Sequence, residues 1–220
     1  MQCIKDTIKN INIVIGCNIG CSYCYARMNN NRFHTIDDFN KPVFFENKLK
    51  MLDNKRHTAY LLTGQSDLSG WNEEWKDKVF FKMKENENTQ YIFLTKRPEN
   101  INLKETPDNG WFGVTVTSSK EKTRIDYLRN NIKAKHYHIT FEPMFDDVGK
   151  LDLNNISWIV IGTETGNRKG KISSKREWVF NIYNQAKEKN IPVFMKEDLL
   201  GILNEDEFVQ EFPKEFGGIK

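Results

Sequence analysis

Short apolar runs, each about five residues long and rich in β-branched and aromatic side chains, recur along the chain with helical stripes between them. The runs cover residues 11–15, 59–63, 91–95, 111–116, 137–141, 158–161 and 192–195. Runs of that length and composition suit strands buried on both faces of a parallel sheet. Between them, Phe45, Leu49 and Leu52 fall at helical spacing, as do Trp75, Val79 and Met83. Ile125, Leu128 and Ile132 follow Ser118 and Ser119, and Val179, Ile182, Tyr183 and Ala186 follow Ser173 and Ser174; these serines are expected N-caps. Alternating strand and helix implies right-handed βαβ units, so the fold class is α/β. An open doubly wound sheet and an incomplete βα barrel both fit this pattern. In either, ligands sit at the carboxyl ends of the strands.

A chain of 220 residues, fifteen of them Phe and five Trp, has material for one domain spanning 1–220. No apolar stretch approaches membrane-spanning length. The start, Met1-Gln2-Cys3-Ile4-Lys5-Asp6, lacks an export pattern, so a soluble cytoplasmic protein with no membrane partner is expected. Lys and Arg number 33 against 30 Asp and Glu, a balance of +3 that by itself implies no polyanionic partner.

Three of the four cysteines, Cys17, Cys21 and Cys24, lie within eight residues directly after the first run. Clustered thiols point to metal rather than to a disulfide framework. Gly16 and Gly20 let the backbone fold tightly around a bound group. Three thiolates can hold three irons of a 4Fe–4S cluster and leave the fourth iron to an exogenous molecule. Cys3 precedes the first run and is expected at the opposite end of the sheet. Two alternatives stay open: a Cys3His zinc site completed by His34, and an electron-transfer or redox-sensing cluster.

The pattern C-x3-C-x-aromatic-C, carried by Cys17, Cys21, Tyr23 and Cys24 in the loop after the first run, resembles the radical S-adenosylmethionine (SAM) superfamily. The resemblance implies an incomplete (βα)6-type parallel barrel with a possible seventh strand, and a cluster whose open iron is chelated by S-adenosyl-L-methionine. Reductive cleavage would then release a 5′-deoxyadenosyl radical that abstracts hydrogen from a substrate. It also implies an external one-electron reductant such as flavodoxin or ferredoxin. Tyr23 would lie beside the adenine, and Gly64, Gln65 and Ser66 against the amino group, although the glycine-rich acidic stretch usual there departs from the common form.

The remaining strand ends are polar. Thr115 and Thr117 suit a ribose or carboxylate, and Glu142 and Glu164 follow directly on buried runs. These residues complete the expected cofactor-binding set. Lys96, Arg97 and Lys196 are the expected substrate-binding cations, with Arg124, Arg168 and Lys169 around the same mouth. They favour an anionic substrate, whether a nucleotide, a phosphorylated metabolite or nucleic acid. Leu94–Pro98, Phe112–Val116, Phe141–Pro143 and Ile161–Gly166 further resemble the phage- and mobile-element-associated branch of radical SAM-like proteins. From Asn204 onward, Phe208 and Phe212 stand at helical spacing, and a terminal helix is expected there.

Overall fold

The computed structural model describes residues 1–54, 58–166 and 168–217. Seven parallel strands form one curled sheet, a half-barrel with its strands in chain order. They are β1 (Ile8–Asn10), β4 (Ala59–Leu61), β5 (Gln90–Thr95), β6 (Gly110–Thr115), β7 (His136–Phe141), β8 (Ile156–Ile161) and β9 (Val193–Met195). The central register aligns Phe93 with Phe112 and Phe112 with Tyr137. A separate antiparallel ribbon pairs β2 (Val14–Ile15) with β3 (Val43–Phe44).

Six strands stand where the apolar runs predict them, and the first does not. The strand beside β4 is Ile8–Asn10, and the run 11–15 climbs past the sheet to end in the ribbon. Ile11, Ile13, Val14 and Ile15 are all buried there, so the run reports burial rather than sheet membership.

Helices α1 (Ile4–Thr7), α2 (Tyr25–Phe33), α3 (Glu73–Glu85), α4 (Thr123–Asn131) and α5 (Arg176–Glu188) complete the fold. Val79 and Met83 of α3, Ile125 and Leu128 of α4, and Val179, Ile182 and Ala186 of α5 pack on the outer face of the sheet. The stripe at Phe45, Leu49 and Leu52 folds as a 3-10 helix over 46–53. The serines do not cap their helices. Lys175 precedes α5 with no side-chain cap, while the Ser174 hydroxyl is turned inward to Thr163. Residues 142–155 join β7 to β8 without a helix.

The inner face is filled from below. Trp111, Trp158 and Phe194 project inward, and Phe212 and Phe216 of the tail pack onto them. The expected terminal helix is absent: the tail makes 3-10 turns at 205–207 and 214–216, with an antiparallel bridge between Gln210 and Phe194. Phe208 and Phe212 serve different sides, Phe208 on the outer core and Phe212 within the curl, which one helical stripe cannot do. The seam between β9 and β1 is spanned by this tail and the N-terminus, whose Gln2 N–H donates to Gln210 at 2.7 Å. With the lower end plugged, access to the interior is from the carboxyl ends of the strands.

Candidate functional site

The cysteine loop leaves β2 at Gly16, whose φ of +115° and close neighbour Pro42 admit only glycine. Gly16 donates to the Gln65 carbonyl at 3.0 Å and bridges Ser66, which lays the loop after β4 beside Cys17. Gly20 also takes a positive φ, +79°. The chain then enters α2 with Cys24 as N-cap: its Sγ accepts from the Arg27 N–H at 3.4 Å. The Arg27 guanidinium turns back to the Cys17 carbonyl at 2.8 Å.

Burial pushes the Cys17 thiol up to about 11, with the negative ends of Asp67, Cys21 and Cys24 adding to the effect against a hydrogen bond from Ile19. A thiol so placed is neutral unless a cation compensates it. Cys17, Cys21 and Cys24 are all partly buried in this loop. Among the described residues no three His, Cys, Asp or Glu side chains converge as ligands of one ion do.

The zinc alternative does not fit. His34 caps the far end of α2, exposed, about 15 Å along the helix axis from Cys24 at 1.5 Å per residue. Nor does Cys3 lie at the opposite end of the sheet. It closes the seam near the end of β9, where its thiol donates to Glu197 at 3.0 Å.

Tyr23 packs edge-on against Phe145 at 5.4 Å, with the Lys96 ammonium 5.8 Å from its ring centroid. Burial pushes its phenol up, reinforced by Cys21 beside the hydroxyl. The neighbouring Tyr25 hydroxyl donates to the Gly64 carbonyl at 2.6 Å. Gly64 is bare at Cα because Asn12 Oδ1 and Asn10 Nδ2 would lie 3.0 and 3.1 Å from a β-carbon. Ser66 accepts from the Trp71 indole at 3.0 Å. These contacts bring Tyr23, Gly64, Gln65 and Ser66 to one side of the mouth, with the three cysteines.

After β9, Lys196 forms ion pairs with Glu142 and, at 3.2 Å, with Asp198. Burial works against the Lys196 charge, but the two carboxylates outweigh it and hold the ammonium protonated. Burial raises the Asp198 carboxyl, against the pull of Lys196. Gly162 makes room for this trio: a β-carbon there would come within 3.1 to 3.2 Å of all three side chains. Lys96 Nζ donates to the Thr115 hydroxyl at 3.3 Å.

Several expected ligand contacts are already taken. Thr117 donates to Glu121 through both N–H and hydroxyl, at 2.8 and 2.7 Å, and Glu121 also pairs with Arg124. Glu164, buried, is held by Arg168 at 2.5 and 2.8 Å. So Lys196, Arg124 and Arg168 each face a carboxylate, leaving Lys96, Arg97 and Lys169 as mouth cations without an ion pair among the described residues. Glu121 and Asp198 stand three and two residues from their cations, so both pairs were within reach of a local sequence reading that weighed only the cations. Asp67 fixes this edge: it accepts from Ser69 N–H, the Thr95 hydroxyl and Lys96 N–H at 2.7 to 3.0 Å.

One layer deeper lies His138, fully buried on the inner face. Its Nε2 is 3.0 Å from the Phe93 carbonyl, so that nitrogen carries the proton. The ring rests on Gly113, where a β-carbon would come within 2.3 Å of it. Burial lowers its pKa to about 4, so it is neutral near pH 7.

Fold and site define an α/β half-barrel with a three-cysteine loop and a charged mouth at the strand ends. The chain belongs to the family described as "Protein of unknown function (DUF5131)", which matches residues 2–217. That match corrects the resemblance to the radical SAM superfamily and its phage- and mobile-element-associated branch: the family found over the chain is a different one, and what is shared is a cysteine spacing and short strand-end motifs. The chain is also 35% identical over 98 residues to Lipase 1 of Staphylococcus aureus strains Mu50 and N315. That stretch is 44% of this chain and 14% of the lipase, so the chain spans about a seventh of the length of those relatives. No solved structure matches. No described helix is long and apolar enough to cross a membrane.

Proposed function

We propose that Cys17, Cys21 and Cys24 hold a 4Fe–4S cluster at the mouth of the half-barrel and that the protein is an enzyme using S-adenosyl-L-methionine as cosubstrate. The observation that carries this reading is the count of thiols. Three lie in one loop at the carboxyl ends of the strands, while Cys3 is engaged with Glu197 at the seam. Three thiolates leave one iron for an outside ligand. The curled sheet reads as an incomplete (βα)6-type barrel, whose chemistry belongs at that end. Held by Cys17, Cys21 and Cys24, such a cluster would supply one-electron reduction of the sulfonium, with the electron drawn from an external reductant such as flavodoxin or ferredoxin, and with it hydrogen abstraction from the substrate.

The chain's own residues bind and orient. The Tyr23 face and the loop at Gly64, Gln65 and Ser66 line the cysteine side. Thr115 and the Glu142–Lys196–Asp198 trio offer further donors and acceptors at the strand ends. Lys96 and Arg97 bind the anionic part of the substrate. The partial likeness to a lipase does not suggest acyl transfer: no G-x-S-x-G turn occurs in the chain, and Ser66, in Gly64-Gln65-Ser66-Asp67-Leu68, is bonded to an indole.

Anaerobic reconstitution with iron and sulfide tests the reading. A brown protein that consumes S-adenosylmethionine on reduction is expected, with iron lost on Cys17→Ala, Cys21→Ala or Cys24→Ala and retained on Cys3→Ala. A colourless protein overturns it. A brown protein that leaves S-adenosylmethionine intact makes it an electron carrier instead. Lys96→Ala with Arg97→Ala is expected to cut substrate turnover at least tenfold while uncoupled cosubstrate cleavage stays within about twofold, the pattern of lost substrate binding. Equal loss of both rates would assign the two cations to the cofactor.

A further inference from the structure

The overall balance of +3 conceals a strong asymmetry. The nine residues from Arg168 to Arg176 contain five cations, Arg168, Lys169, Lys171, Lys175 and Arg176, and no carboxylate. Taking these five from the 33 Lys and Arg leaves 28 against 30 Asp and Glu, so the rest of the chain is slightly acidic. The segment joins β8 to α5 and therefore stands at the same end of the sheet as the cysteine loop. Arg168 and Arg176 are anchored on Glu164 and Glu207, which pins the segment at both ends. Between these anchors Lys169, Lys171 and Lys175 are exposed and make no ion pair among the described residues.

The segment also borders a cleft of about 440 Å³. Glu164, Lys171, Ser173, Asp198, Leu200 and Ile202 are among the residues that line it. Leu200 is 48% exposed, an apolar side chain without cover beside a row of cations. The volume falls within the range of about 300–1,000 Å³ usual for small-ligand sites, so one nucleotide unit fits while a folded duplex does not.

We infer that the Arg168–Arg176 segment binds the phosphate backbone of a single-stranded nucleic acid and that the adjoining cleft takes one of its nucleotides. Lysines and hydroxyls meet phosphate oxygens, and Leu200 and Ile202 meet the face of a base. A membrane surface would instead call for an apolar helix face among the cations, and this segment has one exposed Ile172. The inference narrows the anionic-substrate reading to nucleic acid, and rests on it only for the chemistry that follows binding. Iron content reports on the cysteines; oligonucleotide affinity reports on this segment in the full chain as purified.

Fluorescence anisotropy with a labelled single-stranded oligonucleotide of about 15 residues, between about 50 and 200 mM salt, is the measurement. Lys169→Ala, Lys171→Ala and Lys175→Ala combined is expected to weaken binding at least tenfold at low salt. It should also flatten the slope of log K against log salt by about 2, at about 0.7 per lost phosphate contact. Leu200→Ala should lower affinity while leaving that slope unchanged. Lys133→Ala with Lys135→Ala, at the opposite end of the sheet, should bind as the parent does. Undiminished binding by the triple variant overturns the inference. So does a parent protein that binds anionic phosphatidylglycerol vesicles but not the oligonucleotide, or that prefers duplex.

Discussion

His138 shows how one buried side chain couples fold and pH. The imidazole is neutral inside the half-barrel, with a folded pKa of about 4 against 6.5 in the unfolded chain. Above pH 6.5 neither state holds the extra proton and nothing changes. As pH falls below 6.5 the unfolded chain binds it and the folded protein does not, so stability declines until about pH 4, where the folded state also protonates. The full span is worth roughly 3 kcal/mol at 1.36 kcal/mol per unit. Urea unfolding at pH 7 and pH 5 should show the parent losing about 2 kcal/mol more than His138→Gln, which removes the titration. Equal losses would place the pH sensitivity elsewhere. Charge at the mouth follows a different rule. Lys196 stays charged because Glu142 and Asp198 surround it, so it orients other groups and is less available to a substrate than its position suggests.

At the scale of elements, the tail replaces what a closing helix would do. Phe216 has no exposed surface and packs on Trp111 and Trp158 at centroid distances of 4.8 and 5.2 Å. The Thr58 hydroxyl, just before β4, donates to its carbonyl. Phe216→Ala should therefore destabilise by about 3–5 kcal/mol, the usual cost of a large buried ring with its cavity. Chemical unfolding checks this, and a loss below about 1 kcal/mol would mean the tail is dispensable. Helix α2 does two jobs at once. Its first turn presents the Arg27 amide to the Cys24 sulfur, and its length carries His34 away from the cysteines, which excludes the zinc site.

Across the whole molecule, each strand of the large sheet is hydrogen-bonded to its neighbour, and one core runs from Ile11 to Leu203. Such continuity predicts a single cooperative unfolding transition. Tryptophan fluorescence, reporting on Trp111 and Trp158 inside the curl and Trp75 and Trp178 on the helical face, should coincide with far-UV circular dichroism. Two separated transitions would divide the chain into independently folding parts. Charge is also organised at this scale: the cationic segment Arg168–Arg176 and the cysteine loop occupy the same end of the sheet, although almost 150 residues separate them in sequence.

Local pattern alone determined the α/β class, six of the seven large-sheet strands and the helical faces of α3, α4 and α5, because burial of a strand or of a helix face imprints its period on the residues themselves. It also marked the cysteine loop, whose glycines at 16 and 20 adopt the positive φ angles that tight folding requires. What it could not determine was which apolar run pairs with which. Residues 11–15 are as apolar as a central strand, yet they sit in the ribbon while Ile8–Asn10 enters the sheet. Pairing depends on contacts distant in sequence, and apolar content does not encode them. The mouth mixes both cases. Arg168 and Arg124 are neutralised by Glu164 and Glu121 within about one helical turn of sequence, whereas Lys196 meets Glu142 across 54 residues, and Lys96 and Arg97 are spared. Only the tertiary structure decides which cations remain available, because a charge's role depends on the partner that folding brings within a few ångströms.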